Sequence, residues 1–444
     1  MQLSHQQENA FKHFKNNTNL FLTGPGGSGK TRLIHEFVSY AINSNKRVQV
    51  CALTGCATVL LQCPGSKTLH SWAGIGLGTG PSNDIVARVI KNPKKIQKWK
   101  HIDILIVDEV SMMSKKIFEI LNRIGCIIHN NNKPFGGIQL VFSGDFYQLP
   151  PVGSYSDADS SLFCFESTQW FNTFPISVEL NKIYRQNDKV YLDILNELRI
   201  GNLSKNSCDI LNTRVGKPID KKNIIEPTIL LPRRKDADII NSKMLNALNG
   251  DKKTYKLVGV CTKKNTHNNT IRECELELEN MQKNILADQE LILKIGAQVM
   301  CIANIDINDS FPIFNGSQGI VTAFDNDFPV VKFNNGHERT IVPHIWTSES
   351  VPSVEIKQIP LIHAWALTIH KAQGATLELA QIDAGSNMFE CGQMYVALSR
   401  VKSLDALYLT AFNALKIKIN QKVQEFYSQL FEQNLDCTLN AIVS

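Results

Sequence analysis

Eight consecutive residues, Gly24-Pro25-Gly26-Gly27-Ser28-Gly29-Lys30-Thr31, fit the pattern G-x-x-x-x-G-K-[ST]. Backbone N–H groups of such a loop can wrap the phosphates of a nucleotide, and glycine lets the backbone approach closely because no Cβ intervenes. Lys30 would place a point charge on the β- and γ-phosphates, and the Thr31 hydroxyl would hold Mg²⁺. Further along, Asp108 and Glu109 end an apolar run. An acid there can hold Mg²⁺ through water, and its neighbour can take a proton from attacking water. Two carboxylates after a strand are also common at ordinary loop starts, but behind a phosphate loop the catalytic reading is the better one. Gln148, in Ser143-Gly144-Asp145-Phe146-Tyr147-Gln148, stands where a γ-phosphate sensor would sit. Charge on that phosphate also needs a cation, expected from a second sheet unit, and Arg185 and Arg400 are the candidates.

The elements around these residues suit the chemistry. Asn19 to Thr23 reads as a short buried strand and Arg32 to Asn43 as a helix with Leu33, Phe37, Val38 and Ile42 on one face. A helix N-terminus would then point at the anion. Before them, Leu3-Ser4-His5-Gln6-Gln7 opens a capped amphipathic helix; Gln7 could read an adenine edge or be merely solvated. Arg47 to Leu53, Ile102 to Val107 and Ile138 to Phe142 are further apolar strands, so residues 1 to about 175 alternate strand and helix as a doubly wound, mostly parallel sheet does. Two patches follow the second strand: one begins at Thr54, and the other runs through His70, Trp72 and Gly74. They could meet a nucleic-acid backbone and stack a base, or form a glycine-rich loop around a buried Trp. The run from Lys91 to Lys100 is expected to be a solvated face.

After Glu179 a new unit begins, with helices expected at 190–198 and 235–248 and a strand at 229–232. From about Asp251 the composition shifts to strand-forming segments separated by Asn315-Gly316 and Asn335-Gly336, which reads as a small β-barrel inserted into a second α/β unit. Helix and strand alternate again over 359–410, and a last amphipathic helix is expected over 418–430.

At 444 residues the chain is too long for one core. It has no apolar run long enough for a membrane span and no apparent signal or transit segment, so an intracellular protein, cytoplasmic or nuclear, without a membrane partner is expected. Eleven cysteines without a C-x-x-C pair suit reduced thiols. The net charge of +6 permits a nucleic-acid partner without demonstrating one.

GPGGSGKT, TGCAT with TLHSWAGIG, DEVSM, GDFYQLPPV, IYRQ, LKIGAQVMCIANID with FNGSQGIV, TIHKAQGATL and VALSRV follow one another in this order. The series resembles the PIF (petite integration frequency) family of DNA helicases, in group B of superfamily one, over nearly the whole chain. The resemblance implies an α/β protein with two RecA-like doubly wound parallel-sheet domains and a small SH3-like β-barrel insertion in the second. The boundaries expected are 1–176 for the first domain, 177–250 and 346–444 for the second, and 251–345 for the insertion. It also implies ATP and Mg²⁺ as cofactors and 5′-to-3′ translocation on single-stranded DNA. Unwinding would extend to duplexes, and to RNA–DNA hybrids or G-quadruplexes, in replication, repair or recombination. By motif position Gln7 would read adenine, while Gln148, Arg185 and Arg400 would contact the γ-phosphate with Gly374 near it. Thr54, His70, Thr368, His370 and Lys371 would line the DNA track, and Trp72, where the family usually has Phe, would stack on a base. A monomer in solution is expected, with oligomers on DNA left open. A DNA-stimulated clamp or remodeller that does not unwind, and a RecD-like helicase, are the alternatives.

Overall fold

The computed structural model describes residues 3–61, 63, 65–153, 157–220, 224–261, 271–305, 313, 315–348, 351, 353–385 and 387–430. Asp306 and Phe314, at the edges of two motifs quoted above, lie outside the described residues. The chain divides into two compact units.

The first unit holds the residues up to Lys205, Phe389–Ser399, and the described residues from Ala414 onward. Its sheet has six strands: β1 (Leu20–Thr23), β2 (Val48–Ala52), β3 (Lys67–Thr68), β4 (Ile104–Asp108), β5 (Gln139–Ser143) and β6 (Ile176–Glu179). They lie in the order β3-β2-β4-β5-β1-β6, every neighbouring pair parallel, with Leu20 opposite both Val141 and Ile176. Such a sheet is covered on both faces, which is why its strands read as nearly unbroken apolar runs. Leu20, Leu22, Ile104 and Ile106 face a layer with Leu33 and Phe37. Phe21, Leu105, Val107 and Phe142 face another with Phe118, Trp170 and Phe426. The C-terminal ends of β1, β4 and β5 deliver Thr23, Asp108 and Ser143 to one rim, where ligands of open parallel sheets bind.

Three segments expected in the second domain belong to this first unit: the helix Lys189–Ile200, the helix Gln393–Leu398 and the helix over 421–430. Tyr191 donates its hydroxyl hydrogen bond to the Leu398 carbonyl at 2.5 Å, and Phe426 stacks on Phe165 at 4.3 Å. An amphipathic pattern announces an apolar face but not which sheet will cover it. The lysine run is also only partly solvated. It forms the helix Pro93–Lys100, capped by Asn92, with Trp99 fully buried and Lys95 Nζ donating to the Gly74 carbonyl at 2.7 Å.

The second unit holds Asn206–Met388 and Arg400–Asn413. Its parallel sheet has the order Ala366–Thr368, Thr228–Leu231, Ala380–Ala384, Leu407–Phe412. The antiparallel part of this unit, from Lys253 to His363, is divided among a five-stranded sheet, a three-stranded sheet and a two-stranded ribbon, and so runs beyond the 251–345 expected for the insertion. It also carries an unexpected helix, Ile271–Asn284, that packs beside the strand Val354–Gln358. Among the described residues no helix is long and apolar enough to cross a membrane.

Candidate functional site

The glycine-rich loop leads from β1 into the helix Lys30–Asn43. Gly24, Gly27 and Gly29 all have positive φ, at 134°, 82° and 87°. At Gly27 a Cβ would also stand 2.5 Å from the Cβ of Arg185, so only glycine fits both the backbone and the space. Lys30 Nζ folds back onto the loop, donating to the carbonyls of Gly24 at 2.6 Å and Pro25 at 3.0 Å. Burial lowers the Lys30 pKa, and Asp145, Glu109 and Asp108 oppose that.

Two buried polar atoms at the loop have no protein partner: Ser28 Oγ and Gln7 Nε2. Gln7 completes a capping box with Ser4, which fixes its Oε1 and leaves the amide nitrogen over Gly29. Unpaired buried donors of this kind are costly and mark places where a ligand completes the bonding. The loop therefore fits a nucleotide. Thr31 and Asp108 carry hard oxygen atoms of the kind that would suit Mg²⁺.

Asp108 closes β4 and is almost fully buried. Burial raises its pKa, while the neighbouring Ser143 and the Lys30 charge pull it down. Glu109 follows with φ at 55°, a left-handed conformation rare outside glycine, so the backbone is held in a strained state at this acid. Gln148 is buried, and its N–H donates to the Asp145 carbonyl at 2.9 Å.

Arg185 lies in the first unit, on the same body as the phosphate loop, and is not the cation expected from a second unit. Tyr184 N–H donates to the Gly27 carbonyl at 2.8 Å, which draws this segment onto the loop. Burial lowers the Arg185 pKa, opposed by Tyr395 and Glu109. Arg400 belongs to the second unit and is 1% exposed. Its Nη1 donates to the carbonyls of Ala372 and Ala375, both at 3.3 Å, so it holds the turn that contains Gly374.

Thr54 and His70 meet in one cleft of the first unit, a cavity of about 360 Å³ that Gly78 and Lys116 also line. Burial lowers the His70 pKa, favouring the neutral ring near pH 7. Trp72 requires a correction. It is 3% exposed, and its ring lies 4.7 Å from that of Trp99, whose Nε1 donates to the Ala73 carbonyl. A ring buried in the core offers no face to a base. In the second unit Thr368 caps the short helix Ile369–Ala372 by accepting from Lys371 N–H at 3.1 Å. Thr368 and Lys371 line a cavity of about 450 Å³ with Arg234 and Asn241, while His370 lies on the same short helix.

Sequence reasoning missed a buried polar cluster beside the loop, formed by Asp145, Arg199, Tyr395 and Tyr427. Asp145 stood inside one quoted motif and Tyr395 directly before another, VALSRV, while Arg199 was an arginine in a helix rich in apolar residues.

A family model described as PIF1-like helicase matches residues 2–221, and one described as the 2B domain of DNA helicase Pif1 matches residues 277–324. The chain is 34% identical to the ATP-dependent DNA helicase PIF1 of Emericella nidulans, over 93% of this chain and 60% of that protein's length. The structure is similar to the crystal structure of Pif1 helicase from Candida albicans, with a TM-score of 0.77 and 35% identity, covering 97% of this chain and 100% of that one. It is also similar to Pif1 helicase from Bacteroides in complex with ADP-AlF3 and ssDNA, with a TM-score of 0.68 and 27% identity, covering 97% of this chain and 98% of that one.

Proposed function

Because the chain belongs to the PIF1-like helicase family, we propose that it is an ATP-dependent DNA helicase that moves 5′-to-3′ on single-stranded DNA and unwinds duplexes. The observation that carries this reading is the phosphate loop with the orphaned polar atoms of Gln7 and Ser28 at its edge. Lys30 and the N–H groups at the helix start bind the phosphates, Gln7 takes the adenine edge, and Glu109 accepts a proton from the attacking water. Thr31 and Asp108 would hold Mg²⁺, which would supply positive charge to offset that of the phosphates. Arg185 and Arg400 offset charge developing on the γ-phosphate, and Gln148 senses its presence. Thr54 and His70 in one unit, and Thr368, His370 and Lys371 in the other, hold the DNA backbone. The same motor would act on RNA–DNA hybrids or G-quadruplexes, as a monomer in solution.

Strand displacement with ATP tests this, using one duplex with a 5′ overhang and one with a 3′ overhang. Release from the 5′ overhang alone is the expected result. Release from the 3′ overhang alone would keep the motor and overturn its polarity. Hydrolysis stimulated by single strands without any release would favour a clamp or remodeller.

A further inference from the structure

Asp145 is 0% exposed and lies at the centre of the buried cluster. Arg199 donates to it through Nε at 3.1 Å and Nη2 at 3.0 Å, and Tyr147 N–H at 3.3 Å. The hydroxyls of Tyr427 and Tyr395 stand 3.4 and 3.5 Å from its oxygens. Each hydroxyl has a second partner on the approach to the phosphate. Gly26 N–H donates to Tyr395 Oη at 3.0 Å. Tyr427 Oη lies 2.7 Å from Thr23 Oγ1 and accepts from Phe146 N–H at 3.2 Å.

The donor inventory orders this arrangement. A carboxylate only accepts, and a phenol has one proton and two lone pairs. With Asp145 ionised against Arg199, both phenols turn their O–H toward it and present lone pairs outward. Tyr395 then accepts from Gly26, and Tyr427 accepts from Phe146 and from the Thr23 hydroxyl. Burial raises the Tyr427 pKa, which keeps that phenol protonated. All of these residues belong to the first unit.

We propose that Tyr395 and Tyr427 are positioning residues for ATP hydrolysis, oriented by Asp145 so that their hydroxyls hold Gly26 and Thr23 on either side of the first turn of the phosphate loop. The inference rests on the ATPase reading above. It makes the helix over 421–430 part of the support of the nucleotide site, a role that no motif in that helix announces. These hydroxyls meet the loop segment at Thr23 and Gly26, ahead of Lys30, Thr31 and the helix start, so binding of the diphosphate should survive their loss. What should suffer is the loop geometry that the transition state requires.

The test is DNA-stimulated ATP hydrolysis by Tyr395→Phe and Tyr427→Phe, with ADP affinity from a fluorescent ADP analogue and the melting temperature measured beside it. Phenylalanine keeps the ring and removes only the hydroxyl. Each variant should lose about tenfold in kcat, the scale of one hydrogen bond, with ADP affinity within about twofold and melting nearly unchanged. Thr23→Val, which removes the same bond from the loop side, should reproduce the Tyr427→Phe kinetics. Full kcat in either tyrosine variant overturns the proposal, as does a parallel fall of kcat, ADP affinity and melting temperature, which loss of ordinary packing would give. A wild-type protein that neither hydrolyses ATP nor binds ADP would instead overturn the ATPase reading itself.

Discussion

Arg199 meets Asp145 across 54 positions of sequence, with Nε and Nη2 on the carboxylate and Nη1 3.1 Å from Glu179. Burial works against the charge on Arg199, but Asp145 overcomes it and the net shift of its pKa is upward. The guanidinium also sits 4.8 Å from the Tyr147 ring and 5.5 Å from that of Tyr427. Removing one member leaves the other as a buried charge, which is far more costly than removing both. Arg199→Met should therefore destabilise the protein by about 3–5 kcal/mol. The double variant with Asp145→Asn should recover much of that loss. Denaturant unfolding of the four proteins of the cycle measures the coupling; a cost near zero for Arg199→Met would show that water, not Arg199, compensates Asp145.

Gly392 begins the helix Gln393–Leu398 with φ at 70°. A Cβ there would run into the Tyr147 carbonyl oxygen and stand 2.5 Å from that of Gln148. Both obstacles are backbone and cannot rotate away. Gly392→Ala should push the segment carrying Gln148 out of place and lower kcat for ATP hydrolysis at least tenfold, about 1.4 kcal/mol of barrier. Steady-state kinetics decide it, since unchanged turnover would detach Gln148 from the chemistry.

Trp72 and Trp99 divide structure from DNA binding. Trp72→Ala should cost about 3–5 kcal/mol of stability, as large-to-small changes of buried aromatic residues do. Trp72→Phe should leave single-strand affinity nearly unchanged. A substantial loss of affinity in that folded variant would return the ring to the DNA track.

Lys371 and His70 should separate on a salt titration. Each Lys–phosphate contact on a single strand contributes about 0.7 to the slope of log K against log salt. Lys371→Ala should lower the slope by about that amount. His70→Gln at pH 7.5 should leave it unchanged, because burial favours the neutral imidazole. An unaltered slope in Lys371→Ala would make that lysine a surface residue only.

The same histidine gives a pH dependence with a defined sign. Burial depresses the folded-state pKa of His70 below the ordinary histidine value of about 6.5. As the pH falls through the unfolded-state value, the unfolded chain takes up a proton that the folded chain refuses, so stability is lost on acidification. Below the folded-state pKa the loss stops growing. His70→Gln should flatten this part of the stability profile between about pH 7 and 5. Equal slopes for the two proteins would mean that the ring is solvated in the folded state.

The strand, loop and helix of the candidate nucleotide site were legible in the sequence because their physics is local. A strand, a turn that only glycines can make and a helix N-terminus lie within Leu20 to Asn43, and each announces itself by composition or period. Asp108 and Glu109 were legible for the same reason, standing where an apolar strand stops. Trp72 was not, since an aromatic residue in a glycine-rich stretch suits a base stack and a core equally until Trp99 is seen against it. Tertiary structure alone decided which unit takes each late segment and what supports the phosphate loop. Thr23 meets Tyr427 across 404 positions, and Gly26 meets Tyr395 across 369. No periodicity spans such distances, because these bonds form only once the sheet has been assembled and its second face covered.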